Sequence, residues 1–332
     1  MTAPMSATHD SPAPVTAGLK RPGKPLATPV VTHGTETPGE ITYAGFHRKR
    51  SLRSRVKTIV LAVVAVLLFL IMAFPVYWMI NSSFLPTNVI RSTTPTFFPG
   101  PGVFTLRNYN TAIFESHTAY FLPSLVQSLK VTFLTLVATL IIAFLASVAL
   151  GRYRFKGRGL FVVSILAVQM IPGGAMMLTY YRLVNSWGLL NNVIGLGLVY
   201  IAGVMPFTIW MLRGFVVSVP MELEEAAMVD GLSRNGAFWR ITFPLLAPGL
   251  ISTGIFAFIQ AWNEFTMALV IMTRPDTMTL PIWLRTFLEA TKTTDWGGMM
   301  AGSTLIALPV LIFFLIVQGR MTGGLVAGAV KG

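Results

Sequence analysis

Almost nothing in this sequence is arranged for covalent chemistry. It contains no cysteine, which removes disulfide, zinc-thiolate and thiol chemistry. The four histidines, His9, His33, His47 and His117, are scattered and lie outside every long apolar run. No G-x-x-x-x-G-K-S/T phosphate loop occurs. Gly23-Lys24 is followed by Pro25 and lacks the upstream glycine spacing, so the chain does not hold a nucleotide by that device. No metalloprotease helix and no Ser/His/Asp set is placed for catalysis. The chemistry that remains is noncovalent. Gln260, Asn263 and Glu264 put two amides and a carboxylate inside an otherwise apolar run, with Gln260 and Glu264 at i, i+4 on one helix. A second spaced set, Glu225-Ala226-Ala227, Asp230-Gly231, Ile241 and Pro244, sits in a polar connection between two apolar runs.

The elements that must position these residues follow from composition. Of 332 residues, 54% are hydrophobic and 11% charged, against about 25% charged in soluble domains. That balance indicates a polytopic membrane protein. A hydrocarbon core of about 30 Å takes about 20 helical residues. Six runs reach that length: Thr58–Ile80, Val131–Leu150, Leu160–Tyr181, Val193–Leu212, Gly249–Met272 and Met299–Val317. Gly297, Gly298 and Gly302 blur the start of the last.

The net charge of +13 would suggest nucleic acid in a soluble protein. Its placement explains it differently. Arg48, Lys49, Arg50, Arg53, Arg55 and Lys57 precede the first span. Arg152, Arg154, Lys156 and Arg158 fill the short loop between spans two and three. Arg213, Arg234 and Arg240 sit in or beside the long loop after span four, and Arg320 and Lys331 follow span six. These segments share one side if the spans alternate. The positive-inside rule then places both termini and the long loop in the cytoplasm of a multi-pass cell-membrane protein. No nucleic-acid partner is needed.

Residues 1–47 are rich in Pro, Thr, Ala and Gly and lack apolar periodicity. They cannot bury enough surface to offset ordering entropy, so they are expected to form a disordered cytoplasmic tail, with residues 48–332 as the membrane domain. The first apolar run starts too far from Met1 for a cleavable signal peptide and is read as a permanent helix. Outside the membrane, Asn81–Lys130 carries a Pro/Gly-rich stretch, with a short helix expected around Leu106–Phe114. Thr273–Gly298 carries Trp283 and Trp296. Interfacial anchoring and contact with a soluble partner both fit these tryptophans.

The long loop, residues 214–248, has its own structure signals. Ser218 and Pro220 make a helix start, and Glu222, Glu224 and Glu225 put acid in its first turn, which suits the helix dipole. Leu223, Ala226 and Ala227 form an i, i+3, i+4 stripe. Gly231 follows Asp230 where a left-handed cap would close the helix. Ser233 can cap a second helix, and Pro244 and Pro248 then redirect the chain before span five. Two readings fit: a docking surface, or an amphipathic connector resting on the membrane.

The spacing Glu225-Ala226-Ala227, Gly231, Ile241, Pro244 resembles the EAA loop of ABC importer permeases. Phe243 stands where that family usually has leucine. Ala261-Trp262-Asn263-Glu264-Phe265 and the tail Gly324–Gly332 resemble the carbohydrate-uptake, maltose-permease-like branch. The likeness covers Lys57 to Gly332. It implies an all-α membrane protein with six transmembrane helices, the type I ABC importer permease fold, and a cytoplasmic coupling helix. It implies a chain that is not itself an enzyme, binds no cofactor, and leaves ATP and magnesium to a partner ATPase. The implied partners are a second permease, an ATPase dimer and an extracytoplasmic sugar-binding protein, in the lipid bilayer. Its cargo would be a disaccharide or oligosaccharide. Glu225, Ala226, Ala227, Asp230, Gly231, Ile241 and Pro244 would engage the ATPase, with Glu225 facing a basic residue there. Gly324, Ala327 and Gly328 would make a C-terminal ATPase contact; a frayed terminus is the other reading.

Glu264 is the only acidic residue inside a span. A mid-span carboxylate costs about 2.5–3.5 kcal/mol on insertion scales, so it must face protein or water. Gln260, Asn263 and Glu264 are candidates for the translocation pathway; an interhelical contact is the other reading. Pro172-Gly173-Gly174 and Pro206 interrupt backbone hydrogen bonding and fit either hinges or kinks. Tyr181, Tyr200 and Trp210 are weak cargo candidates, for which lipid or core packing is the favoured reading. An ion-gradient transporter would show paired intramembrane acids or repeated spans, of which neither is evident; a scaffold without transport is the other alternative.

Overall fold

A run of apolar residues this long folds as helix because a helix satisfies every internal backbone group without water. The structure, a computed structural model, describes residues 52–115, 119–288 and 294–329. Among these residues there are helices and turns and no strand. The tail 1–47, the cluster Arg48–Arg50 and residues 330–332 lie outside the described residues. The chain divides into two units, Met1–Ile59 and Val60–Gly332. Of the first, only the opening of helix α1 is described.

In chain order the helices are α1 (Leu52–Ser83), α2 (Thr87–Ile90), α3 (Arg107–Phe114), α4 (Phe121–Arg152), α5 (Arg158–Val168) and α6 (Gly173–Ser186). Then come α7 (Val193–Ser218), α8 (Glu222–Val229), α9 (Arg234–Ala237), α10 (Phe243–Asn263), α11 (Thr266–Ile271), α12 (Leu280–Arg285) and α13 (Trp296–Ala329). Among the described residues, five helical stretches are long and apolar enough to cross a membrane, and α5 with α6 makes a sixth if a bent pair is one span. The short helix expected around Leu106–Phe114 is α3.

The centre of the bundle is α4, packed against α7 and α10. Its buried face is a stripe of small and hydroxylated residues, Ser124, Ser128, Thr132, Thr135, Thr139, Ala143 and Ser147. Small residues let helix backbones approach closely where lipid gives no hydrophobic drive to associate. The spacing of three and four keeps that stripe on one side of α4. The opposite case is α1, whose apolar side chains Val60–Met72 are all exposed. Lipid or another chain must cover them.

Three expectations need correction. Span three is not one helix: α5 and α6 meet at 94° across residues 169–172. Pro172 lacks an amide hydrogen and disfavours helical backbone at Ile171, and Gly173-Gly174 adds no propensity to resist the break. Trp283 is neither an interfacial anchor nor a docking residue. It is 1% exposed, edge-on to Phe121 at 5.1 Å and to Phe287 at 5.2 Å. The glycines before span six do not weaken it, since α13 runs for 34 residues, the longest helix among the described residues. Gly297 instead makes room for the loop: a Cβ there would lie 2.5 Å from Asn108 Oδ1. Asn108 in turn donates to the carbonyls of Ser83 and Leu85 at 2.9 and 2.8 Å, tying α3 to the end of α1.

Candidate functional site

Two sites stand at different levels of the bundle. The first is the connection between α7 and α10. α7 runs on to Ser218, whose hydroxyl donates back to Phe215 O, so Ser218 closes that helix and does not cap the next. α8 starts after Met221 with no side-chain cap. Its three early glutamates carry the dipole instead. At its far end the amide of Gly231 bonds Met228 O at 3.1 Å and the amide of Leu232 bonds Ala227 O at 3.0 Å. This paired closure requires left-handed backbone between them, and Gly231 has φ +94°. The turn read from the sequence is therefore present. Ser233 caps α9 by accepting from Gly236 N at 3.2 Å.

Beyond Ser233 the chain does not turn back as expected. α9, a π-turn over Phe238–Thr242, and α10 form one apolar helical stretch, Arg234–Asn263. Pro244 does not break it, although its missing amide leaves the ladder one bond short directly after the π-turn. The wider π-turn lets the amide of Phe243 reach back to Phe238 O. Phe243 packs edge-on to Phe144 at 5.6 Å, which accounts for an aromatic ring at that position. Ile241 and Pro244 thus belong to the root of span five, and only the segment from Val219 to Ser233 lies between the spanning helices.

Within that segment the side chains divide. Glu224 and Ala227 are buried; Glu222, Leu223, Glu225, Ala226, Met228, Val229 and Asp230 are exposed. Leu223 and Ala226 therefore face outward, while Ala227, expected on the same stripe, packs inward. The exposed face combines apolar area with two free carboxylates at the helix start, and Arg234 lies over the Tyr153 ring at 5.7 Å nearby.

The second site is a cavity of about 380 Å³ between α5, α6, α7 and α10. Gln260 and Glu264 line it, as do Gln169, Tyr180 and Tyr200. Glu264 is not on the helix with Gln260. α10 stops at Asn263, and Glu264 is extended, with φ −69° and ψ 123°. Its carboxylate caps α11, accepting from Met267 N at 2.7 Å and Ala268 N at 3.0 Å. Two charge-assisted bonds at a helix N-terminus are what make a carboxylate tolerable at this depth. Asn263 does not join the cavity: its amide donates to Ile259 O, and its side chain faces a groove shared with α1 and α13. Tyr200, which donates to Glu264 O at 3.2 Å, is the aromatic of the three weak candidates that reaches the cavity.

The elbow between α5 and α6 also contributes. Gln169 donates to Gly203 O at 3.1 Å. That carbonyl lies three residues before Pro206, where the proline disturbs the helical ladder of α7. Sequence reasoning missed Gln169; its place beside Pro172 was the available signal. Gly324, Ala327 and Gly328 fall in the last turns of α13, beyond the described side chains. Among the described residues no group of three or more His, Cys, Asp or Glu could hold a metal.

Comparison with known proteins follows the same lines. The family described as binding-protein-dependent transport system inner membrane component matches residues 41–322. The chain is 45% identical to the diacetylchitobiose uptake system permease protein DasC of Streptomyces coelicolor, over 86% of this chain and 100% of that one. It is 34% identical to the trehalose/maltose transport system permease protein MalG of Thermococcus litoralis, over 83% and 98%. Among solved structures, a bacterial ABC transporter that imports the acidic polysaccharide alginate shares the fold. Its TM-score is 0.66 at 21% identity, covering 81% of this chain and 98% of that one.

Proposed function

The chain belongs to the binding-protein-dependent transport system inner membrane component family, and from that premise we propose that it is the permease through which an ATP-driven importer passes a carbohydrate. The observation that carries this reading is α8: a short helix outside the spanning helices, closed by the left-handed Gly231 turn, that buries Glu224 and Ala227 against its own chain and exposes Glu225, Ala226 and Val229. Such a surface docks in a groove of the ATP-hydrolysing subunit, with Glu225 facing a basic residue and Asp230-Gly231 setting the turn. Ile241 and Pro244 act from the root of α10, where they fix how that helix leaves the docking segment. The cationic loop Arg152–Arg158 and the docking segment face the cytoplasm, as the positive-inside rule requires, together with both termini. Gly324, Ala327 and Gly328 extend α13 toward the same partner.

Cargo passes along the cavity bounded by Gln169, Tyr200, Gln260 and Glu264. Amides, a carboxylate and a phenol suit a hydroxyl-rich ligand, and a volume near 380 Å³ lies in the range of small-ligand sites. A saccharide is supported by the uptake systems of two relatives, for diacetylchitobiose and for trehalose and maltose. An extracytoplasmic binding protein delivers it, and a second permease covers the exposed face of α1. ATP acts on this chain only through the two subunits' difference in affinity between its inward-open and outward-open states.

The test is substrate-stimulated ATP hydrolysis by the complex recovered on the tagged chain. Glu225→Lys and Gly231→Pro are expected to abolish stimulation while the chain still inserts in the membrane. Full stimulation in both variants would refute the docking role.

A further inference from the structure

The ends of four helices meet at one buried charge pair. Arg152 is the last residue of α4, and its Nη2 lies 3.3 Å from Glu224 Oε1 on α8. Their side chains are 7% and 9% exposed. The other guanidinium nitrogen, Nη1, donates to the carbonyl of Val219, the C-cap of α7, at 2.9 Å. On the far side of the carboxylate, Thr242 Oγ1 donates to Glu224 Oε1 at 2.6 Å from the π-turn that roots α10. Arg152 Nε and Nη2 are buried and have no hydrogen-bond partner, so the contact with Glu224 is one of charge alone. The guanidinium therefore depends on Glu224 for its only counter-charge among these contacts. The neighbouring glutamates Glu222 and Glu225 are exposed and take no part.

This arrangement is costly if its purpose is stability alone. Two ions taken out of water are often no better than well-packed apolar residues of the same volume. What the pair supplies is direction. α8 is eight residues long and joins α7 through a short link, and among the described residues no other ion pair ties it to the spans. Through Arg152 its displacement reaches α4, whose other end is tied by Ser128 Oγ, which accepts from Leu280 N at 2.7 Å. Through Thr242 it reaches α10, which ends beside Glu264 at the cavity.

We propose that Arg152 and Glu224 are positioning residues that make α4, α7, α8 and α10 move as one body when α8 is pushed. The proposal rests on the reading of α8 as the docking helix. It assigns separate tasks to adjacent residues: Glu225 faces the partner, and Glu224 faces its own chain.

The test uses the intact complex purified through the tagged chain. Glu224→Gln removes the charge and keeps the size. The double variant Arg152→Met with Glu224→Met removes both charges and leaves none buried alone. Glu224→Gln is expected to retain the ATP-hydrolysing subunit but to lose substrate stimulation by about tenfold or more, the scale for removing one partner of a buried charge. The double variant is expected to return to normal membrane abundance and still lack stimulation, because apolar packing restores stability without restoring direction. Normal stimulation in either variant would overturn the proposal. If Glu224→Gln fails to accumulate, the double variant decides alone. Failure of the underlying reading is distinguishable, since Glu225→Lys would then keep stimulation.

Discussion

Replacing Gly231 with alanine isolates one physical effect. A Cβ at this position meets nothing within 4 Å, so no clash contributes. What remains is the backbone: φ is +94°, a conformation in which a side chain costs roughly 1–2 kcal/mol. Alanine also has less freedom than glycine to lose, which offsets about 0.4–1 kcal/mol. The net is about 1 kcal/mol, or roughly fivefold in the ratio of closed to open turn. The amide that reports it is Leu232, bonded to Ala227 O at 3.0 Å. Hydrogen exchange in the detergent-solubilised chain should show that amide losing protection by roughly fivefold, with Gly231→Asn losing less because asparagine tolerates the left-handed region. Core amides of α4 should be unchanged. Equal protection in glycine and alanine chains would mean the turn is not held left-handed, and the reasoning from φ would fail.

Glu264→Ala removes both caps of α11 and is expected to cost about 0.5–2 kcal/mol, seen as a lower midpoint of thermal unfolding. Glu264→Gln keeps one acceptor oxygen and should fall between; identical midpoints for all three would contradict the capping role. Asn108→Ala leaves the carbonyls of Ser83 and Leu85 unpaired, so unfolding should shift by about 1–3 kcal/mol, while a null shift would show that α3 is held by packing alone. Lys156→Cys should react with an impermeant thiol reagent only after the membrane is opened, and Asn88→Cys in intact cells. The reverse pattern would invert the topology.

Much of this architecture was legible because membranes impose few solutions. Run length gave the spans. The Gly231 turn and the Ser233 cap were readable because each rests on one residue type at one position. The helix breaks at Pro172 and after Asn263 were harder. Pro172 disrupts a span, whereas Pro206 and Pro309 sit inside continuous helices; neighbouring donors decide which outcome occurs, and these are set by tertiary contacts. Glu264 looked like one member of an i, i+4 pair with Gln260. Its carboxylate instead satisfies amides three and four residues ahead, a local competition that periodicity does not register. Glu224 was one of three similar glutamates in the sequence, and only the position of Arg152 distinguishes it. The ion-gradient and scaffold alternatives fall with the family membership, not with any single residue.

The central claim is that the exposed face of α8 meets a separate ATP-hydrolysing subunit. The sequence has no cysteine, so one introduced thiol is the only one in this chain. Ala226 is exposed on α8, and Ala227 beside it is 5% exposed. The decisive measurement is photocrosslinking from Ala226→Cys and Ala227→Cys in the purified complex, each thiol alkylated with a benzophenone maleimide, with the adducts identified by mass spectrometry. The account predicts an adduct between residue 226 and the ATP-hydrolysing subunit, and none from residue 227. Residue 226 crosslinking only to lipid, or not at all, in a complex that still hydrolyses ATP on substrate addition would contradict it.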